Sequence, residues 1–231
     1  MKNIINTTIL CVDTKNKIDA LLALDKSVKD MNFDKCIFLT DNIEGIKINK
    51  FKNLSSINFE IINIPTINSK SEYSKFCVHD LKKYIDTDFC LTIQHDGFII
   101  NSETWTDEFL DYDYIGAPWP TSWGYSNRIG NGGFCLKSKK YLQVVSNVLK
   151  DWNFAKNRES HDITDNEDYL ANVTFYNELI KYGIKFPTTE IAAKFSIEHP
   201  ILESVELPFG FHDMHSQIGK IAMRKKYENI I

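Results

Sequence analysis

Short apolar runs that stop abruptly at a polar residue alternate with stretches of helical period over the first hundred positions. Thr8-Ile9-Leu10-Cys11-Val12 is closed by Asp13, Cys36-Ile37-Phe38-Leu39-Thr40 by Asp41, and a third run, Ile57 to Ile64, by Pro65. Between the first two, Ile18, Leu21, Leu22, Val28 and Met31 recur at helical spacing from Lys15 to Met31. Ser71 opens a second amphipathic stretch with Tyr73, Phe76, Cys77, Leu81 and Tyr84 on one side. The run beginning Phe89-Cys90-Leu91-Thr92-Ile93 then ends in Gln94-His95-Asp96-Gly97. This pattern predicts strands at Ile9–Val12, Ile37–Thr40, Glu60–Ile64 and Phe89–Gln94. It also predicts an α/β fold with an open, mostly parallel sheet flanked by helices.

After Asp96 the texture changes. Positions 101–135 are rich in aromatics, Gly and Pro, including Trp105, Trp119, Trp123, Tyr125 and Gly130-Asn131-Gly132-Gly133-Phe134. Large rings in a glycine-rich region resemble the flat surfaces on which sugars or bases stack, although they could equally pack under a loop. Ser138 begins a helix through Leu149. Glu167 begins a longer one to about Tyr182, with Tyr169, Val173, Tyr176 and Ile180 expected inward. Asp151 to Asp165 is polar and expected to be a loop. No repeat or linker divides the chain, so one domain over 1–231 is expected, its first half (1–100) nucleotide-binding and its second (101–231) acceptor-binding and catalytic.

Bulk properties narrow the function classes. The chain has 231 residues, 43% hydrophobic and 25% charged, which is ordinary for a globular protein with a substantial core. A net charge of -4 argues against nucleic acid as a partner. Cysteines at 11, 36, 77, 90 and 135 are odd in number and lack a C-x-x-C pair, so a reducing compartment is expected. The first segment lacks the features of a signal peptide, and no run is long enough for a transmembrane segment. A cytoplasmic protein is expected. The basic cluster Lys220, Arg224, Lys225 and Lys226 reads as a solvated helix end that could also rest against the inner membrane face.

Asp96 is the first candidate for chemistry. The carboxyl ends of strands line the ligand crevice of open α/β sheets, and an aspartate there can hold a divalent cation that serves a phosphate. Asp-Gly is also a favoured turn pair, so Asp96 could simply begin a turn.

Taken in order, Gln94-His95-Asp96-Gly97-Phe98, Tyr112-Asp113-Tyr114-Ile115-Gly116-Ala117-Pro118-Trp119, Gly130-Asn131-Gly132-Gly133-Phe134, Asn166-Glu167-Asp168, Glu190-Ile191-Ala192-Ala193-Lys194-Phe195-Ser196 and Pro208-Phe209-Gly210-Phe211-His212 span most of the chain. Together they resemble a bacterial family of GT-A-like glycosyltransferases catalogued as a domain of unknown function. The resemblance implies a Rossmann-like GT-A domain and transfer of a sugar from a nucleoside-diphosphate sugar to a glycan or lipid-linked acceptor. A divalent cation, Mn²⁺ or Mg²⁺, would offset the charge of the leaving diphosphate. GT-A enzymes commonly hold it with Asp-x-Asp. Here the first position is Gln94, which leaves Asp96 as the carboxylate ligand, with His212 the candidate second ligand and His215 a weaker one. Of the acidic pair, Asp168 rather than Glu167 is implied as general base of an inverting transfer, although acidic residues at a helix start are also favoured by capping and the macrodipole. Gly132 and Gly133 would let the backbone approach a ligand, and Trp119 and Trp123 would offer stacking faces. Asp13, Asp41, Lys75, Gln94 and His95 are candidates for donor contacts; the two aspartates could equally be caps. A catalytically silent nucleotide-sugar or glycan-binding domain is the competing expectation. A metal-dependent phosphate-ester hydrolase is disfavoured by the lack of dense Asp/His clusters.

Overall fold

A computed structural model describes residues 2–154, 166–199 and 207–226. The chain runs β1 (Lys2–Val12), α1 (Lys17–Ser27), β2 (Met31–Thr40), β3 (Phe59–Asn63), α2 (Lys70–His79), β4 (Phe89–Ile93) and β5 (Gly97–Ile99). It continues through β6 (Tyr114–Gly116), β7 (Phe134–Ser138), α3 (Lys139–Val148), α4 (Glu167–Tyr169), α5 (Tyr176–Lys181) and α6 (Thr189–Phe195), then β8 (Ser196–Ile197), β9 (Gly210–His212) and α7 (Gln217–Lys226).

The central sheet has the order β3-β2-β1-β4-β7-β6. Its first four strands are parallel, whereas β7 runs antiparallel to both β4 and β6. The continuous apolar runs are explained by burial on both faces. Ile9, Cys11, Phe38, Leu91 and Ile93 enter one core cluster, and Leu10, Val12, Ile37, Leu39 and Cys90 enter the other. All five cysteines are buried and unpaired, as their apolar settings suggest.

A small second sheet, β5-β9-β8, positions the site. β5 pairs antiparallel with β9 so that Gly97 lies opposite His212. Residues more than a hundred positions apart in sequence therefore meet one step past the end of β4.

Local chemistry sets the helix starts. The Ser69 side chain accepts from the Glu72 amide at the head of α2, and Ser138 and Thr188 do the same for α3 and α6. Several expected boundaries differ. The first helix ends at Ser27, Met31 opens β2, and Ile18 is 52% exposed. The second stops at His79, and Leu81 and Tyr84 belong to a separate 3₁₀ turn. The single helix expected from Glu167 to Tyr182 is α4 and α5 joined by a π turn over Leu170–Thr174. The wider turn shifts the helical register. Leu170, Ala171 and Leu179 face the core in place of the expected set, and Ile180 is 43% exposed. Most of the polar stretch expected to be a loop at 151–165 lies outside the described residues. Among the described residues, no helix is long and apolar enough to cross a membrane.

Candidate active site

A cleft of about 760 Å³ opens at the carboxyl ends of β1 and β4. Asp13 follows β1 and His95 follows β4, and because these strands are neighbours the two side chains meet, His95 Nδ1 to Asp13 Oδ2 at 3.2 Å. This bond raises the His95 pKa, and with two backbone donors it holds Asp13 low despite burial. The other oxygen of Asp13 accepts from the Lys15 and Asn16 amides at the head of α1. Asp13 therefore builds the cleft wall and also caps the turn beside it.

His212 is the centre of the polar floor. Its Nε2 lies 3.3 Å from Asp96 Oδ1 and 3.1 Å from Gln94 Oε1. On the far side, Nδ1 lies 3.3 Å from Glu198 Oε1 and 3.1 Å from the Asn131 side-chain nitrogen. Burial alone would lower its pKa, but contacts with the two carboxylates outweigh this and raise it to about 10. Asp96 is in turn held at about 2, burial opposing and His212 prevailing, and Glu198 is lowered in the same way.

Gly132 and Gly133, expected to let the backbone approach a ligand, line the cleft and also make room for the protein's own side chains. A Cβ on Gly133 would lie 2.1 Å from the His212 ring, and one on Gly132 would lie 2.1 Å from Glu167 Oε1. Asn131, at φ 68°, accepts the Gly133 and Phe134 amides on its side-chain oxygen, which holds this turn in place.

The acidic pair lines the same cleft. Asp168 Oδ2 accepts from the Gly132 amide and Oδ1 from the Tyr169 amide, each at 2.8 Å. Burial, followed by the charge of Glu167, raises Asp168 to about 7 against the pull of those donors. Glu167 Oε2 lies 3.3 Å from Ser74 Oγ, which ties the pair to α2. A carboxyl poised near neutrality in a cleft has the properties of a general base.

An aromatic strip lines the rim. Trp123 is 42% exposed, whereas Trp119 is 6% exposed and packs against Gly130 beneath it. Tyr125 meets Trp123 and Tyr169 at 5.7 and 5.3 Å between ring centroids, and His199 meets Trp123 at 5.0 Å. Glu198, His199 and His215 offer ligand atoms within 4.8 Å of one another. However, the two imidazoles are stacked at 15°. In-plane lone pairs of parallel rings do not converge on one ion, so these rings extend the aromatic strip in this arrangement.

Of the residues singled out by sequence, Asp13, Gln94, His95, Trp119, Trp123, Gly132, Gly133, Glu167, Asp168, His212 and His215 line this cleft. Asp96 joins it through His212. Asp41 and Lys75 are not among the lining residues. Asp41 bonds Lys17 and Thr66, and Lys75 is exposed on α2. Glu198, Asn131, Ser74 and Tyr73 were not anticipated. Asn131 could have been found, because it stands inside the glycine motif as a residue suited to a left-handed turn.

Residues 56–212 match the family described as protein of unknown function (DUF5672), and the chain belongs to that family. None of the curated proteins compared with the chain matches it. Among solved structures it is similar to galactosyltransferase LgtC in complex with donor and acceptor sugar analogs. The TM-score is 0.55 at 16% identity, over 89% of this chain and 86% of that one. It is also similar to the apo form of glycosyltransferase GlyE in Streptococcus pneumoniae TIGR4, with TM-score 0.52 at 11% identity, over 97% of this chain and 61% of that one. These likenesses establish a GT-A glycosyltransferase fold.

Proposed function

We propose that this member of the family transfers a sugar from a nucleoside-diphosphate sugar to a glycan or other hydroxyl acceptor, with inversion. One observation carries the reading. His212, backed by Asp96, and Asp168, distant in sequence, line a single cleft at the strand ends of a GT-A fold.

The residues fit a divalent cation. Asp96 Oδ1 is buried with no hydrogen-bond partner among the described residues, and it faces His212 Nε2 at 3.3 Å. Two adjacent ligands about 2.1 Å from one ion stand about 3 Å apart at a right angle. A carboxylate, an imidazole and the Gln94 amide oxygen form a mixed O/N set suited to Mn²⁺. Such an ion would offset charge on the departing diphosphate. With its pKa raised to about 10, His212 is protonated on both nitrogens near neutral pH, so binding an ion at Nε2 would release a proton.

The protein's own groups account for the rest. The nucleoside half of the donor lies against Asp13, Thr14, Ser69 and Tyr73, and the acceptor sugar lies across Trp123, Tyr125 and Tyr169. Asp168 takes the acceptor hydroxyl proton as that oxygen attacks the anomeric carbon. The bond from that carbon to the diphosphate oxygen breaks on the opposite face, and its electron pair leaves with the diphosphate. Two backbone amides fix the carboxylate of Asp168, and a carboxylate retains lone pairs for the acceptor hydroxyl.

The alternative, a binding module without turnover, draws on Gln94 standing where a second carboxylate is usual. Thermal-shift screening of nucleotide sugars with and without Mn²⁺, followed by assay of released nucleoside diphosphate, separates the two. Cation-dependent stabilisation with turnover is expected. Stabilisation without turnover supports the module, and no stabilisation by any donor refutes both.

A further inference from the structure

The C-terminal segment holds the Gln94-His95-Asp96 turn by two successive carbonyls. The Asp213 amide donates to the Asp96 carbonyl at 3.1 Å, and the Lys226 ammonium donates to the His95 carbonyl. Lys226 stands at the end of α7, and its side chain is fully buried. A lysine is rarely enclosed in this way, because desolvating an ammonium is costly unless it is bonded and near opposite charge. Asp19 of α1 lies 3.8 Å from its Nζ. Ser216 seats the helix by accepting the Gly219 amide at 3.0 Å. The side chain of His95 is meanwhile gripped by Asp13 from β1. The turn that presents Asp96 is thus clamped from one side by β1 and from the other by α7.

We infer that Lys226 is a positioning residue for the cation and donor site, fixing the backbone from which Gln94 and Asp96 project. It does not line the cleft. The inference rests on the reading of Asp96 and His212 as cation ligands, and the mechanism above makes no use of it. Groups that orient metal ligands from behind typically matter 10–100-fold for metal affinity.

The test compares wild type with Lys226→Met, which keeps length and burial, and with Lys226→Arg, which keeps the donor. In the first measurement, amide hydrogen exchange is followed at Gly97, which donates to the Gln94 carbonyl, and at Asp213. Both should exchange at least about tenfold faster in the methionine variant, with β2 amides unchanged and the arginine variant close to wild type. In the second, Mn²⁺ alone is titrated, with free ion read by electron paramagnetic resonance. The dissociation constant should rise about tenfold or more in the methionine variant. The sign is diagnostic, because deleting a nearby positive charge would by itself tighten cation binding. Unchanged exchange at Gly97 and Asp213, or unchanged or tighter Mn²⁺ binding, overturns the inference. If wild type binds no Mn²⁺, the cation reading fails on its own and the exchange data decide the role of Lys226. Should the methionine variant not fold, Lys226→Gln, which keeps a donor but shortens its reach, is measured the same way.

Discussion

Replacing Asp168 with Asn tests the proposed base through both stability and turnover. In the fold Asp168 titrates at about 7 instead of its ordinary 3.8, because burial and Glu167 disfavour its charge. Between these values the folded state holds more protons than the unfolded chain, so stability falls as pH rises. From pH 4 to 6.5 the loss is at most about 3 kcal/mol. Both oxygens of Asp168 accept backbone amides, and the carboxamide turns an NH2 toward one of them, so Asp168→Asn should be about 1–3 kcal/mol less stable than wild type at pH 4. The difference should then shift in favour of the variant by up to about 3 kcal/mol by pH 6.5. His212, which rises from 6.5 to about 10, loses its contribution only above this interval, and Asp96, which falls to about 2, loses its own only below it. Urea denaturation at half-unit pH steps gives both curves. Turnover should fall by about 10²–10⁴-fold while nucleoside-diphosphate binding persists. Parallel stability curves would show a carboxylate at its ordinary pKa, serving only as a helix cap. Undiminished turnover would remove Asp168 from the chemistry.

Asp96→Asn should abolish the Mn²⁺-dependent part of the thermal shift given by a nucleoside diphosphate, and should also lower the metal-free melting temperature because the ion pair with His212 is lost. Equal cation-dependent shifts in both proteins would leave Asp96 as a turn residue. Gly133→Ala forces a methyl to within 2.1 Å of the His212 ring. It should cost about 1–3 kcal/mol in denaturation and weaken Mn²⁺ binding; a variant as stable as wild type would show that the ring is free to move. Trp123→Ala removes a half-exposed ring packed against Tyr125 and His199, so stability should fall by about 1–2 kcal/mol while KM for the saccharide acceptor rises. A KM change confined to the donor would move the stacking role elsewhere.

The parallel half of the fold was legible because its signals are local. Buried strands flanked by helices on both faces must be continuously apolar, and the runs of β1 and β4 end where the cleft begins, at Asp13 and Gln94. Asp13 and Asp96 could be found on that basis alone. Glu198 could not, because it follows a strand of two residues, and no periodicity marks a carboxylate brought to His212 by tertiary packing. The helix after Glu167 was misread at its inward face because one wide turn changes the period on which the reading depends. Asp41 illustrates the limit of the strand-end rule. It also ends a strand, but Lys17 and Thr66 take up its carboxylate, so position at a sheet edge does not by itself assign a side chain to the cleft.

The pairing of β5 with β9 ties the proposed cation site to packing well outside it. Side chains alternate along a strand, so a one-residue slip would set Phe211 or Asp213 opposite Gly97 and turn the imidazole of His212 to the other face. A short ladder of this kind specifies its register weakly through backbone bonds alone. The aromatic core beneath supplies the missing specificity. Phe98 and Phe211 pack edge to face at 4.8 Å, and both are buried, with Phe209 packing against Phe134 and Phe195 alongside. Moving Phe211 by one position would expose a large ring and bury a polar neighbour, a cost of several kcal/mol. The phenylalanines of the Pro208-Phe209-Gly210-Phe211-His212 motif therefore have a chemical consequence. By fixing the register of β9 they set the 3.3 Å approach of His212 to Asp96 on which the proposed cation site depends.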